Sequence, residues 1–319
     1  MNQATAQVPA AVSAGRGKAE KKKAAFRKYR PLYIVIALVA AYFIIFNYIP
    51  IVMGTVMSFQ DFRIGNTIFN APFVGWENYE RIFADPDMIQ KITNTLILSV
   101  YRLLWTFWPS ILLAIFIFDL INVRYKKICQ TIVYIPYFFS WVIIYGIVFA
   151  FFSNNGFVNE MLANLGQGKI SFLMESKYFR SLLIGSQIWK GVGWGTILYF
   201  AALTGVNPEL YEACKIDGAG PIRRTMTVTL PAMMPVIVFS LIISLGNILN
   251  NDFEQVLLFY NPSVYDVGDI IDTWVYRVGI GKMQYSYGAA VGMLKSFIGF
   301  ILIIGSNKLS RKFAGRGLW

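Results

Sequence analysis

Three positive charges stand alone inside long uncharged stretches of this 319-residue chain: Arg102, Lys190 and Lys295. A cation among apolar residues is costly unless it faces a cavity or a partner, so each marks a place where a polar or negative group is needed. The other usual agents of chemistry are missing. The chain has no His, which removes the commonest general base and metal ligand. Cys129 and Cys214 form no CxxC pair, and there is no GxxxxGK[ST] phosphate loop. The uncharged stretches hold no paired carboxylates for acid–base work. The residues therefore point away from an enzyme and imply no cofactor or metal held by this chain.

The elements that must position those cations are membrane helices. Hydrophobic residues make up 56% of the chain and charged residues only 14%, with a mean hydropathy of +0.52. That is too apolar for a water-soluble domain of ordinary composition. Six stretches exceed the ~20 apolar residues that cross a bilayer. They predict an all-α membrane protein with spans at about 32–59, 93–118, 128–152, 181–204, 231–251 and 284–307. With the amino terminus inside, inner segments carry 18 Lys and Arg against five Asp and Glu, and outer segments eight against twelve. Positive residues on alternate loops predict both termini in the cytoplasm. The net charge of +12 is then a topology signal and implies no nucleic acid. Residues 1–30 read as a basic, disordered cytoplasmic tail that either only fixes orientation or also touches anionic membrane lipid. Residues 31–319 read as one transmembrane domain. The pairs Gly191/Gly195 and Gly288/Gly292 have the spacing of close helix packing.

In this layout Arg102, Lys190 and Lys295 lie near the bilayer midplane in spans two, four and six, with no carboxylate of this chain at the same level. Asp252 and Glu254 fall near the outer end of span five. Two roles are open to the cations. Each can snorkel or bind backbone carbonyls or a second membrane subunit; or some line a translocation cavity and meet an anionic substrate such as a uronic-acid oligosaccharide. Trp105, Trp108, Trp189 and Trp194 lie near these charges and can stack on sugar rings or simply fill packing space. Asn247, Asn250 and Asn251 can hydrogen-bond sugar hydroxyls or neighbouring helices.

Between spans four and five runs GVNPELYEACKIDGAGPIRRTMTVTLP, Gly205 to Pro231. Asn207 is placed to cap a helix opened by Pro208, with Glu209 and Glu212 at its positive end. Gly218 and Gly220 can take positive φ and stop it, and Pro221 opens a second short helix. Glu212-Ala213-Cys214, then Asp217-Gly218-Ala219, then Leu230-Pro231 closely resembles the EAA loop in membrane subunits of binding-protein-dependent ABC importers. Cys214 stands where the family has a second Ala, and Val228 where it has Ile. The resemblance extends from about Pro31 to the carboxyl terminus, and Ser244 to Ile280 is similar to permeases for oligosaccharides and polysaccharide fragments, acidic ones included.

The resemblance implies a permease subunit of a type I sugar importer in a bacterial plasma or inner membrane, multi-pass. It would pair with a second permease, identical or different, with two cytoplasmic ATPase subunits that bind ATP and Mg, and with an extracytoplasmic solute-binding protein. The loop would seat in a cleft of the ATPase through Glu212, Ala213, Asp217, Gly218, Ala219, Leu230 and Pro231. The substrate path would include Arg102, Trp189, Lys190, Asn247 and Lys295. The competing reading is an ion-coupled secondary transporter, which needs membrane carboxylates that these spans lack.

Overall fold

The computed structural model describes residues 27–250 and 252–314. The expected disorder of the tail falls largely on residues 1–26, outside the described residues. The chain divides into two units, Met1–Val56 and Met57–Trp319. The described part of the first is one helix, α1 (Arg30–Ser58), which runs on to Ser58 through a π turn at Ile44–Tyr48. Pro50 has no N–H to give the preceding turn, and the loosened ladder falls just before it.

The second unit is helical, with an isolated bridge between Gln60 and Phe73 and no sheet among the described residues. In chain order its helices are α2 (Glu77–Ala84), α3 (Pro86–Asp119), α4 (Val123–Tyr134), α5 (Trp141–Phe152), α6 (Phe157–Asn164), α7 (Ser176–Thr204), α8 (Pro208–Ile216), α9 (Pro221–Gly246), α10 (Phe253–Phe259), α11 (Tyr265–Gly268), α12 (residues 271–280) and α13 (Tyr285–Ala314). Five helical stretches are long and apolar enough to cross a membrane: α1, α3, α5 with α6, α9 and α13. The expected fourth span, 181–204, lies in α7, whose 29 residues suffice in length but not in apolarity. This helix packs along α3 and carries buried Ser186 and Thr196, so much of its surface meets protein and need not be apolar.

Three further expectations change. Span three is not one helix. The chain breaks at Ile135–Phe138, a 3-10 turn holding Pro136, and restarts at α5, where Ser140 caps the first turn. Span five ends at Gly246 rather than near residue 251. The second short helix after the 205–220 loop is instead the start of α9, joined through a π turn at Thr225–Thr229. Pro231 follows that turn as Pro50 follows the first.

The core has three parts. Phe107, Ile111, Tyr199, Leu203, Met233 and Ile237 join α3, α7 and α9. Phe179, Leu183, Val256, Phe259 and Ile270 seat α10 against α7. Ile82, Met88, Ile271, Trp274, Tyr287 and Val291 join α2, α3, α12 and α13.

Residues 265–280, read from sequence as an outer loop, are bolted to the long helices. Asp269 is fully buried. It accepts from both Arg277 Nη atoms at 3.1 and 2.6 Å and from Thr273 Oγ1 at 2.8 Å, with Lys91 Nζ 3.8 Å away. Burial opposes the Arg277 cation, but hydrogen bonding and the charge of Asp269 more than offset it and hold its pKa above the ordinary value. Asn94 donates to the carbonyls of Asp266 and Asp269 at 3.0 and 3.1 Å, and accepts from Arg180 at 2.8 Å.

The small residues pack differently from the expected pairs. A Cβ on Gly193 would stand 2.0 Å from the Val133 carbonyl oxygen, so α7 touches the α4 backbone there. Gly195 meets the Ser110 side chain, whereas the nearest atom to a Cβ on Gly191 is 3.9 Å away, on Gln187 of its own helix. A Cβ on Gly288 would stand 2.9 Å from the Gly279 Cα, whereas one on Gly292 would meet nothing within 4 Å. Gly193→Ala is expected to lower the unfolding midpoint in detergent by about 3–10 °C, since overpacking against backbone costs ~1–3 kcal/mol. Gly191→Ala should leave it nearly unchanged.

Candidate functional site

Two places merit the name of a site: a cavity of mixed apolar and polar lining inside the second unit, and the exposed 205–231 loop. The cavity, about 480 Å³, lies among α3, α7, α9 and the non-helical residues that follow Gly246. From α3 come Ser99, Arg102, Thr106, Phe107 and Ser110, and from α7 Gln187, Gly191, Trp194, Gly195, Leu198 and Tyr199. Each set recurs at three- and four-residue intervals and so forms one helix face. The third wall is Ser240, Ser244, Asn247, Asn250 and Asp252. Tyr137, at the break between α4 and α5, lies flat against Trp194 with ring centres 4.3 Å apart.

This wall offers hydroxyls and amides, one aromatic plate and one ion pair. Tyr199 Oη and Ser240 Oγ are 2.7 Å apart. Arg102 Nη1 donates to Asp252 Oδ2 at 2.9 Å, and Nη2 donates to Gln255 Oε1. Arg102 Nε and Gln187 Oε1 are buried without hydrogen-bond partners. Such a surface suits a polyhydroxylated ligand: hydroxyls and amides both donate and accept, and an aromatic face takes the C–H side of a sugar ring.

Of the residues read as a substrate path, Arg102 and Asn247 come together here; Trp189, Lys190 and Lys295 do not line this cavity. Lys190 Nζ donates to the carbonyls of Tyr137 (2.9 Å) and Phe139 at the break in span three. Lys295 Nζ lies 2.6 Å from both oxygens of Asp272. The expectation that no carboxylate reaches the cations is thus corrected for two of the three. Asp252 reaches Arg102 because span five unwinds at Gly246, and Asp272 reaches Lys295 because residues 271–280 return as a helix against α13. Of the tryptophans, Trp194 lines the cavity, and Trp105 and Trp108 do not. Asn250 lines it as well, and Asn251 falls outside the described residues. Sequence reasoning passed over Gln187 and Ser99, Thr106 and Ser110, although Ser99, Arg102, Thr106 and Ser110 recur at three- and four-residue intervals and mark one polar face of α3.

The loop is built as its sequence dictates, with one change. Asn207 Oδ1 accepts from Glu209 N at 3.1 Å, and Pro208 opens α8. At the other end Gly218 takes φ +69°, Gly218 N donates to Lys215 O at 3.1 Å, and Ala219 N donates to Cys214 O at 2.9 Å. This is a Schellman stop, which satisfies carbonyls that α8 would leave unpaired. Gly220 has φ −67° and leads into α9 instead. Glu212, Ala213, Asp217, Gly218 and Pro231 are exposed, while Ala219 and Leu230 are half-buried. Ile216 and Ile222 are 87% and 78% exposed, an apolar tip on a charged knuckle. Behind it, Tyr211 packs on Phe118 with ring centres 5.9 Å apart, and Arg224 Nη2 lies 2.8 Å from Asp119 Oδ1. The knuckle is therefore tied to the last turn of α3. Among the described residues no group of three His, Cys, Asp or Glu is placed to hold a metal ion.

Residues 88–314 match the family model described as binding-protein-dependent transport system inner membrane component. The chain is 39% identical to the polygalacturonan/rhamnogalacturonan transport system permease protein YteP of Bacillus subtilis (strain 168), over 100% of both chains. It is also 39% identical to protein LplB of the same organism, over 95% of both. Among solved structures it resembles a chain of a bacterial alginate ABC transporter, in complex with alginate pentasaccharide-bound periplasmic protein. The TM-score is 0.85 at 34% identity, over 92% of this chain and 98% of that one.

Lys190 supplies two hydrogen bonds to carbonyls that the break at 135–138 frees, and charge-assisted bonds of this kind contribute ~1.5–3 kcal/mol each. Lys190→Met is expected to lower the unfolding midpoint in detergent and to expose the break to proteolysis. An unchanged midpoint would show that the break holds without it.

Proposed function

The chain belongs to the family of inner membrane components of binding-protein-dependent transport systems, and on that premise we propose that it is one permease subunit of an ATP-driven oligosaccharide importer. It would pair with a second permease, a copy or a relative, to enclose the translocation path. Two cytoplasmic ATPase subunits would carry ATP and Mg, and an extracytoplasmic solute-binding protein would deliver the sugar. Six spans with both termini in the cytoplasm of a bacterial cell fit this assembly. They also fit the distribution of Lys and Arg along the chain.

The observation that carries the reading is the 205–231 knuckle. A capped helix stopped at Gly218, with exposed Glu212 and Asp217 and the bare apolar tip of Ile216 and Ile222, is made to enter a groove on another protein. Its fixed ends belong to α7 and α9, two of the three helices that wall the cavity. Closure of the ATPase pair would move the knuckle, and the knuckle would carry α7 and α9 with it, opening the cavity outward. Hydrolysis would reset the cycle. The cavity supplies Arg102, Asn247, Gln187 and the Tyr137–Trp194 plate for a sugar. The names of the relatives, which speak of pectic polymers and alginate, favour an oligosaccharide that carries carboxylates. Ion-coupled secondary transport is not favoured by the family.

Glu212→Lys reverses a charge on the exposed face of α8, and Gly218→Val forces a β-branched residue to φ +69°. Both variants are expected to reach the membrane at normal levels and to lose oligosaccharide uptake. They should also lose co-purification of the ATPase subunits. Normal uptake by both would refute the assigned role of the loop.

A further inference from the structure

The two polar partners of Arg102 are unequal. Gln255 is fully buried and locked, its amide donating to Leu183 O and Ser186 Oγ at 2.8 Å each, so it holds the guanidinium from behind. Asp252 is not buried, and among the described residues Arg102 is the side chain that its carboxylate meets. Its side chain is 42% exposed on the cavity wall, against 9% for Arg102. Its backbone has φ 41°, the left-handed conformation that Asp adopts more readily than most non-glycine residues and that interrupts a helix. It also ends the stretch between Gly246 and Phe253, where α9 has stopped and α10 has not begun.

We propose that Asp252 is an internal stand-in for a substrate carboxylate. With no cargo in the cavity it occupies the anion seat on Arg102, and a uronate carboxylate of an entering oligosaccharide displaces it. The inference rests on the reading of this cavity as the oligosaccharide path. No covalent bond changes; the guanidinium exchanges one carboxylate for another and is never left unpaired, the condition under which a buried charge is affordable. A neutral sugar offers only hydroxyls, whose bonds to guanidinium are weaker than those of a carboxylate, so it leaves the seat occupied. Released, Asp252 turns toward the open cavity beside Asn247 and Asn250, whose amides are donors. Arg102 and Asp252 together would then set the preference of the path for charged over uncharged sugar.

The test is direct binding to the purified complex of permease and ATPase subunits, without the solute-binding protein, whose own selectivity would otherwise intervene. The probes are a galacturonate trisaccharide and its methyl ester, which share one ring frame and differ in charge. The wild-type complex is expected to bind the acid more tightly. Asp252→Asn, nearly isosteric, should raise the acid-to-ester affinity ratio about tenfold or more, because the seat loses its competitor. Arg102→Gln should lower the ratio by a similar factor, and Arg102→Lys should retain part of the preference. Co-purification of the ATPase subunits with each variant controls for folding. Ratios within about twofold of wild type in both Asp252→Asn and Arg102→Gln, with both probes still bound, overturn the exchange and leave the importer reading standing. Binding of neither probe to the wild-type complex overturns the oligosaccharide reading of the cavity, and the exchange with it.

Discussion

A cation placed within a membrane-spanning helix must be answered by the fold itself, because hydrocarbon offers neither water nor counterions. In this protein the cations of the long helices α3, α7 and α13 are answered where helices stop being regular. Lys190 takes up carbonyls freed by the 3-10 turn at 135–138. Arg102 is met by Asp252 because α9 ends early, at Gly246. Lys295 is met by Asp272 because the chain folds back as α12. Helix breaks at membrane depth are tolerated when they line a cavity or are buried in protein. Here the breaks and the charges satisfy each other, and two of the three breaks border the cavity.

The same logic gives α3 a central place. Its 34 residues carry a buried polar anchor at one end, the cavity arginine in the middle and the knuckle contact at the other end. Lys91 and Asn94 engage the 266–269 segment; Arg102 engages Asp252; Asp119 engages Arg224. From Arg102 to Asp119 is 17 residues, or ~25 Å of helix. Pro109 falls between them, and the helix continues through it. On the proposed function, a displacement of the knuckle would carry α7 and α9, whose ends it joins, and would also reach the end of α3 through Phe118 and Asp119. That is a physical route for coupling which depends on packed side chains rather than on proximity alone.

Much of this was legible in the sequence, and each failure has its own physical cause. Runs of apolar residues gave the helices, and local chemistry gave the knuckle: Asn207 as cap, Pro208 as opener, Gly218 as stop. Such signals act over three or four residues and need no tertiary context. Gly220 was misread because it satisfied the same local rule and the chain needed only one stop. The partners of Arg102 and Lys295 lie 150 and 23 positions away and were assigned to outer loops by drawing each span at its full apolar length. Asp252 and Asp272 then stood too far from the cations. Trp189 and Lys190 failed as cavity residues for a simpler reason. The cavity face of α7 runs through Gln187, Gly191, Trp194, Gly195 and Leu198, and at ~100° per residue positions 189 and 190 point elsewhere. That face was available from spacing alone.

An unpaired arginine on the wall of an empty path would serve transport badly even if it bound cargo well. A carboxylate held by a free guanidinium in a poorly hydrated cavity is hard to release, and a transporter must let go on every cycle as surely as it captures. An acid on the wall changes both halves of that problem. Before cargo arrives, Asp252 removes the cost of a lone buried charge; once cargo is bound, its return competes for the same donors and speeds departure. The arrangement gives up affinity in exchange for turnover, and it needs one partner fixed and the other free. Gln255, sealed behind Arg102, and Asp252, half-exposed on a left-handed turn at a helix break, divide those roles between them.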